Sequence, residues 1–267
     1  MNRALLLRSW SWLGLRTGLV GVALVAWGWL MPFLYGQFSD LIRDMVTNNP
    51  VFEQMSRFGS GNLFTLGGTL TLGTQHPLVI AMLGVFAVGT ASTAIAGERQ
   101  RGTLEVLLAR PIPRTVVYIT LFIAIAAVVG ALLVALLAGM YAGAATQGLL
   151  GDLPVGELPI VWLNGFLLWT SFASFSLAAS ASFDRTGPAI GLSLAYLLVN
   201  YFFEILGSFW TDVAWSQEYS LFHHFQVSEI LDGRADPVDL AILGVAVVVP
   251  LVWALVAFPR RDLAAPT

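Results

Sequence analysis

Residues 116–140 read VVYITLFIAIAAVVGALLVALLAGM. The stretch is 25 residues long and carries no charged side chain, and its only hydroxyl groups belong to Tyr118 and Thr120. A helix rises about 1.5 Å per residue, so about 20 mostly apolar residues cross the roughly 30 Å hydrocarbon layer of a bilayer. A helix of a water-soluble domain would show polar positions at 3.6-residue spacing, and this one is apolar all round. It therefore reads as a membrane span. Five more stretches qualify in the same way: Thr17–Tyr35, Leu78–Ala96, Ile160–Ser182, Pro188–Trp210 and Leu240–Phe258. The expected fold is an all-α integral membrane protein with six transmembrane helices, organised as one domain over 1–267.

Bulk composition agrees. The chain is 57% hydrophobic and 11% charged, with mean hydropathy +0.78. Soluble domains carry roughly 25% charged residues, so this chain has too few charges to cover a watery surface. All 13 basic residues are arginine. A phosphate-binding P-loop needs its lysine, so these 267 residues hold no such site. If ATP powers the protein, another chain binds it together with its Mg²⁺. The absence of cysteine removes disulfides, iron–sulfur clusters and thiolate zinc sites. A net charge of −3 and the lack of a basic, aromatic-rich cluster argue against nucleic acid as a partner.

Arginine placement gives the orientation. With the N-terminus inside, the inner segments hold Arg3, Arg8, Arg16, Arg99, Arg101, Arg110, Arg114, Arg185, Arg260 and Arg261. The outer loops hold only Arg43, Arg57 and Arg234. The expectation is that both termini are cytoplasmic. Segment 1–16 mixes Leu5, Leu6, Leu7, Trp10, Trp12 and Leu13 with three arginines, as an amphipathic helix lying in the inner interface would. The long outer loop Gly36–Pro77 is expected to hold a short helix over Ser39–Phe58, interrupted near Asn48–Pro50. A second outer loop, Thr211–Pro237, is aromatic and acidic.

The inner loop between spans two and three reads GERQRGTLEVLLARPIPR over 97–114. Leu104, Leu107 and Leu108 fall at i, i+3 and i+4 and make a small apolar ridge, flanked by Glu98, Arg99, Arg101 and Glu105. Pro111 and Pro113 end any helix before span three. Such an element suits a groove on a cytosolic partner. The plainer reading is a loop whose arginines only fix topology.

Ala96-Gly97-Glu98, Gly102-Thr103-Leu104-Glu105, Leu107-Leu108-Ala109 and Pro111-Ile112-Pro113-Arg114 resemble the signature loop of the type-2 family of ATP-binding-cassette (ABC) permeases. Pro113 stands where serine is more usual in that family. The resemblance is sharp over about twenty residues and otherwise topological. It implies that 98–110 is a coupling helix seated on an ABC ATPase subunit. Glu98, Arg101, Gly102, Thr103, Glu105, Arg110, Pro111 and Arg114 would frame the contact, and Leu104, Leu107 and Leu108 would fill the partner's groove. It further implies two ATPase subunits, a second permease copy, a prokaryotic plasma membrane and export of an amphipathic or lipid-like cargo. Size and the long first outer loop are similar to permeases of nitrous-oxide-reductase maturation systems.

One carboxylate lies well inside a span. Tyr196, Asn200 and Glu204 recur every four residues on span five. Intramembrane ionisable groups face protein or water, which would put this stripe on the translocation path or a dimer interface. Alternatively, Glu204 snorkels to the outer headgroups and Asn200 bonds a neighbouring helix. Thr170, Ser171, Ser174, Ser176, Ser180 and Ser182 on span four read as close-packing positions. His223 and His224 are adjacent and His76 is remote, so no metal site is expected. A membrane anchor or sensor that signals through a docked ATPase, and an intramembrane enzyme, are the rival classes; no G-x-S-x-G or H-E-x-x-H supports the enzyme.

Overall fold

Wherever the chain is apolar for twenty residues, backbone groups have no water to bond, and the helix is the fold that satisfies them internally. A computed structural model describes residues 3–47, 65–104 and 112–261, with side chains in the first stretch described for 14–38. Among the described residues the regular structure is helical, with no strand. The helices are α1 (Arg3–Thr47), α2 (Leu66–Gln75), α3 (Pro77–Thr93), α4 (Ala96–Gln100), α5 (Arg114–Thr146), α6 (Leu158–Ser182), α7 (Thr186–Phe209), α8 (Val227–Leu231) and α9 (Pro237–Arg260). Short 3-10 segments occupy Val155–Glu157 and Thr211–Tyr219.

Five of these helices are long and apolar enough to cross a membrane alone, and a sixth crossing needs α2 and α3 together. The chain is thus a multi-pass membrane protein. The expected second span, Leu78–Ala96, is corrected in two ways. Helix α3 ends at Thr93, and α2 precedes it at a bend of 42°. Sequence explains the bend. Pro77 lacks an N–H, and His76 before it is extended (ψ 139°), so the helix cannot run through. Thr65 caps α2 by accepting from the Gly68 N–H at 3.0 Å, and His76 Nδ1 accepts from Leu78 N–H at 3.2 Å to start α3.

Helix α1 corrects the N-terminal expectation. It runs for 45 residues without interruption, so 3–16 does not form an element separate from span one, and 39–47 continues the same helix. Nothing between Arg16 and Thr47 breaks the ladder except Pro32, which the helix accommodates. The described part of α1 reaches Thr47; the break expected near Asn48–Pro50 and the remainder of the expected Ser39–Phe58 helix lie outside the described residues.

Packing of α1 on α5 depends on small residues. A Cβ built on Gly139 would meet the Val25 carbonyl oxygen, and one on Gly143 would meet the Trp29 carbonyl oxygen. Gly28 on α1 faces the Leu136 carbonyl in the same way. Lipid tails are as apolar as leucine, so close backbone approach is what holds such a pair together.

Helix α6 is the hub, touching α3, α5, α7 and α9. Its hydroxyl face is buried at Ser171, Ser174, Ser176 and Ser180. Ser176 and Ser171 bond carbonyls of their own helix, whereas Ser174 Oγ donates to Val247 O of α9 at 2.8 Å.

The segment read as an outer loop, Thr211–Pro237, turns back into the bundle. Leu221, Phe222, Phe225, Val227, Ile230 and Leu231 are buried. The Phe222 ring lies 6.0 Å from Trp169, near the midpoint of α6, and 5.5 Å from Phe172. Aromatic burial drives the return, and borrowed polar groups satisfy its backbone: Asn164 Nδ2 donates to His224 O at 2.9 Å and Gln75 Nε2 to Phe225 O at 2.8 Å.

Candidate functional site

The loop after α3 begins with a tight structure that its sequence dictates. Helix α4 has a single turn and closes on Gly102, whose φ of +69° is the left-handed region that glycine enters without cost. The Gly102 N–H bonds Arg99 O at 2.9 Å and the Thr103 N–H bonds Glu98 O at 2.9 Å, the paired pattern of a Schellman cap. The Glu98 carboxylate then ties the turn. Arg101 Nη2 donates to Oε1 at 2.8 Å and Thr103 Oγ1 donates to Oε2 at 2.6 Å. The expectation of one helix over 98–110 is corrected in its described part: a helix ends at Gln100, and the backbone enters the left-handed region at Gly102.

Leu104 is also placed differently from expectation. Its side chain is 3% exposed and belongs to the main hydrophobic core, so it holds the loop to the bundle instead of projecting toward a partner. Glu105, Leu107, Leu108, Arg110 and Pro111 lie outside the described residues.

Polar contacts fasten this loop to two neighbouring span ends, and a third joins through a shared carboxylate. Ser180 Oγ accepts the backbone N–H groups of Ile95 and Ala96 at 3.0 and 2.9 Å. Gln100 Oε1 accepts from Thr186 N–H at 3.0 Å and from Thr186 Oγ1 at 2.8 Å, at the start of α7. Arg99 pairs with Asp184 at 2.9 Å, and Arg261 also bonds Asp184. The Arg99 side chain is only 11% exposed, so the shared carboxylate is its main compensation. Arg261 Nη1 donates to Ala181 O at 2.7 Å, and Arg114 Nη1 donates to Arg261 O at 2.7 Å. The ends of α6, α7 and α9 and the start of α5 thus meet around the loop.

Of the residues singled out from sequence, Glu98, Arg101, Gly102 and Thr103 form one local unit, and Arg114 joins the network beside it. Ser180, Asp184, Thr186 and Arg261 were missed as site residues. One signal pointed to them: Asp184 sits alone as an acid in the short Phe183–Arg185 turn, on the arginine-rich side of the chain.

At the opposite end of the bundle, Tyr196, Asn200 and Glu204 share one face of α7. Tyr196 stacks on Phe175 of α6 at 4.2 Å. Asn200 is 5% exposed and stitches the return segment in place: its Oδ1 accepts from Leu221 N–H at 2.8 Å, and its backbone oxygen accepts from Ser220 Oγ at 2.9 Å. Gln217 Nε2 bonds Glu204 Oε1 at 3.1 Å and its backbone oxygen at 3.2 Å. Glu204 Oε2 is shielded from solvent and has no hydrogen-bond partner among the described residues. Asn200 thus bonds the return segment, where the plainer reading of the stripe had it bond a neighbouring helix, while Glu204 retains an unspent acceptor.

His224 Nδ1 lies 2.7 Å from Asp239 Oδ1, and no group of three or more metal-ligating side chains occurs among the described residues. No curated protein and no solved structure matches the chain. A family profile does, described as ABC-2 family transporter protein, over residues 15–263. That match is to the family as a whole and does not support the nitrous-oxide-reductase maturation subgroup. It spans nearly every crossing helix as well as the loop, and places this multi-pass chain among the transport subunits, the permeases, of ABC transporters. The chain belongs to the ABC-2 transporter family.

Proposed function

We propose that this chain is the permease of an exporter driven by ATP, with the nucleotide and its Mg²⁺ bound by a separate ATPase chain. Two permeases and two ATPases make the working unit in this reading. The loop end faces the cytoplasm of a prokaryotic cell, both termini lie on that side, and the cargo is amphipathic. The lysine-free sequence supports the division of labour, because this chain has no P-loop.

One observation carries the reading. A single loop is bonded at once to the end of α6, the start of α7 and the turn between them, through Ser180, Thr186 and Asp184, and Asp184 also receives Arg261 beyond α9. A push on such a loop is delivered to several spans together. Closure of the ATPase pair on ATP then biases a two-state bundle. Residues 105–111 make the contact, with Glu105, Leu107, Leu108, Arg110 and Pro111 toward the ATPase. Glu98 and Arg101 present the partly exposed edge of their ion pair beside it.

The test is co-purification of the ATPase encoded alongside the permease. Leu107→Asp with Leu108→Asp is expected to cut recovery at least tenfold while the permease still inserts. Unchanged recovery defeats the docking claim. ATP-stimulated transport in membrane vesicles then separates an exporter from an anchor that only signals.

A further inference from the structure

Between α2, the start of α3 and α7 lies a partly open cleft of about 90 Å³. Among the described residues, Glu204 is the only charged one in its lining. Tyr201 and Phe222, whose rings are 5.6 Å apart, supply aromatic surface, and Leu72, Ile80 and Ile205 supply apolar surface.

We propose that this cleft binds the head of an amphipathic organic monocation, an alkylammonium, as cargo. The inference rests on the exporter reading and deepens it by giving the cargo a charge. Three physical arguments converge. A carboxylate oxygen shielded from water without a partner is costly, and a single positive charge beside it neutralises the site. Aromatic faces attract an ammonium through their quadrupole, most strongly where water is excluded. Ca²⁺ or Mg²⁺ would bring two positive charges, and Glu204 is the one carboxylate among the described lining residues to balance them.

The lining also discriminates against lipid headgroups. Among its described residues are no arginine and no histidine, so a phosphate diester would lie beside the Glu204 carboxylate with no cation in the lining. Size sets which part of the ligand enters. An engineered apolar cavity of about 150 Å³ accepts benzene, so the smaller cleft here takes an ammonium and its first carbons. The alkyl tail leaves through the open side.

The test is binding of decyltrimethylammonium, below its micelle concentration, to the full-length permease in maltoside micelles. Decyl sulfate and decyl glucoside are the anionic and neutral controls. The wild type should prefer the cation, and Glu204→Gln should weaken cation binding about tenfold while leaving the glucoside unchanged. Tyr201→Leu should weaken it about threefold by removing a ring face, which provides a second reading if the first variant folds poorly. Equal affinity of wild type and Glu204→Gln, or equal affinity for sulfate and ammonium, overturns the proposal. Competition by added phosphatidylethanolamine but not phosphatidylglycerol would assign the cleft to a lipid amine and overturn it as well. No ATPase is present in this assay, so its failure leaves the docking test standing. Loss of ATPase recovery likewise leaves amine binding to be judged separately.

Discussion

Gly102 is a residue whose role is set by one backbone angle. At φ +69°, any residue with a Cβ is strained, yet a Cβ placed there would meet nothing within 4 Å. A substitution therefore reports on conformation alone. Gly102→Ala is expected to cost about 1–2 kcal/mol, the penalty of the left-handed region for an L-residue. Gly102→Asn should recover part of it, because asparagine tolerates that region. Thermal unfolding of the purified permease measures both, and an alanine variant as stable as wild type would remove the Schellman turn from the account. Leu104, two residues on, shows how position in a loop can mislead. It completes an apolar spacing that suits a partner, yet the folded chain uses it internally.

Among the elements, the α1–α5 pair depends on the close approach of two backbones. Gly139 and Gly143 are four apart and lie against the carbonyls of Val25 and Trp29. Gly139→Leu forces the helices apart and is expected to destabilise the protein by about 2–3 kcal/mol, as overpacking does. Gly14→Leu, at an open site on α1, should change stability little. Unfolding in detergent distinguishes the two, and equal behaviour would count against backbone contact as the source of α1 adhesion. The return segment after α7 owes its position to a different balance. Its aromatic side chains seek the core, and Asn200, Asn164 and Gln75 take up the backbone groups that enter with them.

For the whole molecule, the decisive feature is that loops far apart in sequence meet at one end. Asp184 receives both Arg99 and Arg261, separated by more than 160 residues of chain. Asp184→Asn should cost about 1–2 kcal/mol: it leaves the mostly buried Arg99 uncompensated, while the 59% exposure of Asp184 itself limits the loss. Combined with Arg99→Gln, the two losses should fall short of additivity by about 1 kcal/mol. Strict additivity in a thermal double-mutant cycle would mean that the pair is not coupled.

The sequence by itself determined the class of fold. Apolar runs of membrane-spanning length leave no alternative to helices, and the absence of lysine removes nucleotide binding by a P-loop without any coordinates. The Gly102 turn and the Gly139–Gly143 pair were equally present in the letters, as a glycine after a short helix and as small residues four apart, but nothing local said what they would touch. Only the tertiary structure decided that α1 runs unbroken to Thr47, that Leu104 faces inward, that Thr211–Pro237 folds back beside Trp169, and that Asp184 joins three segments. The reason is physical. Hydrophobicity dictates that a segment leaves water, but which protein surface it leaves water for depends on residues a hundred or more positions away.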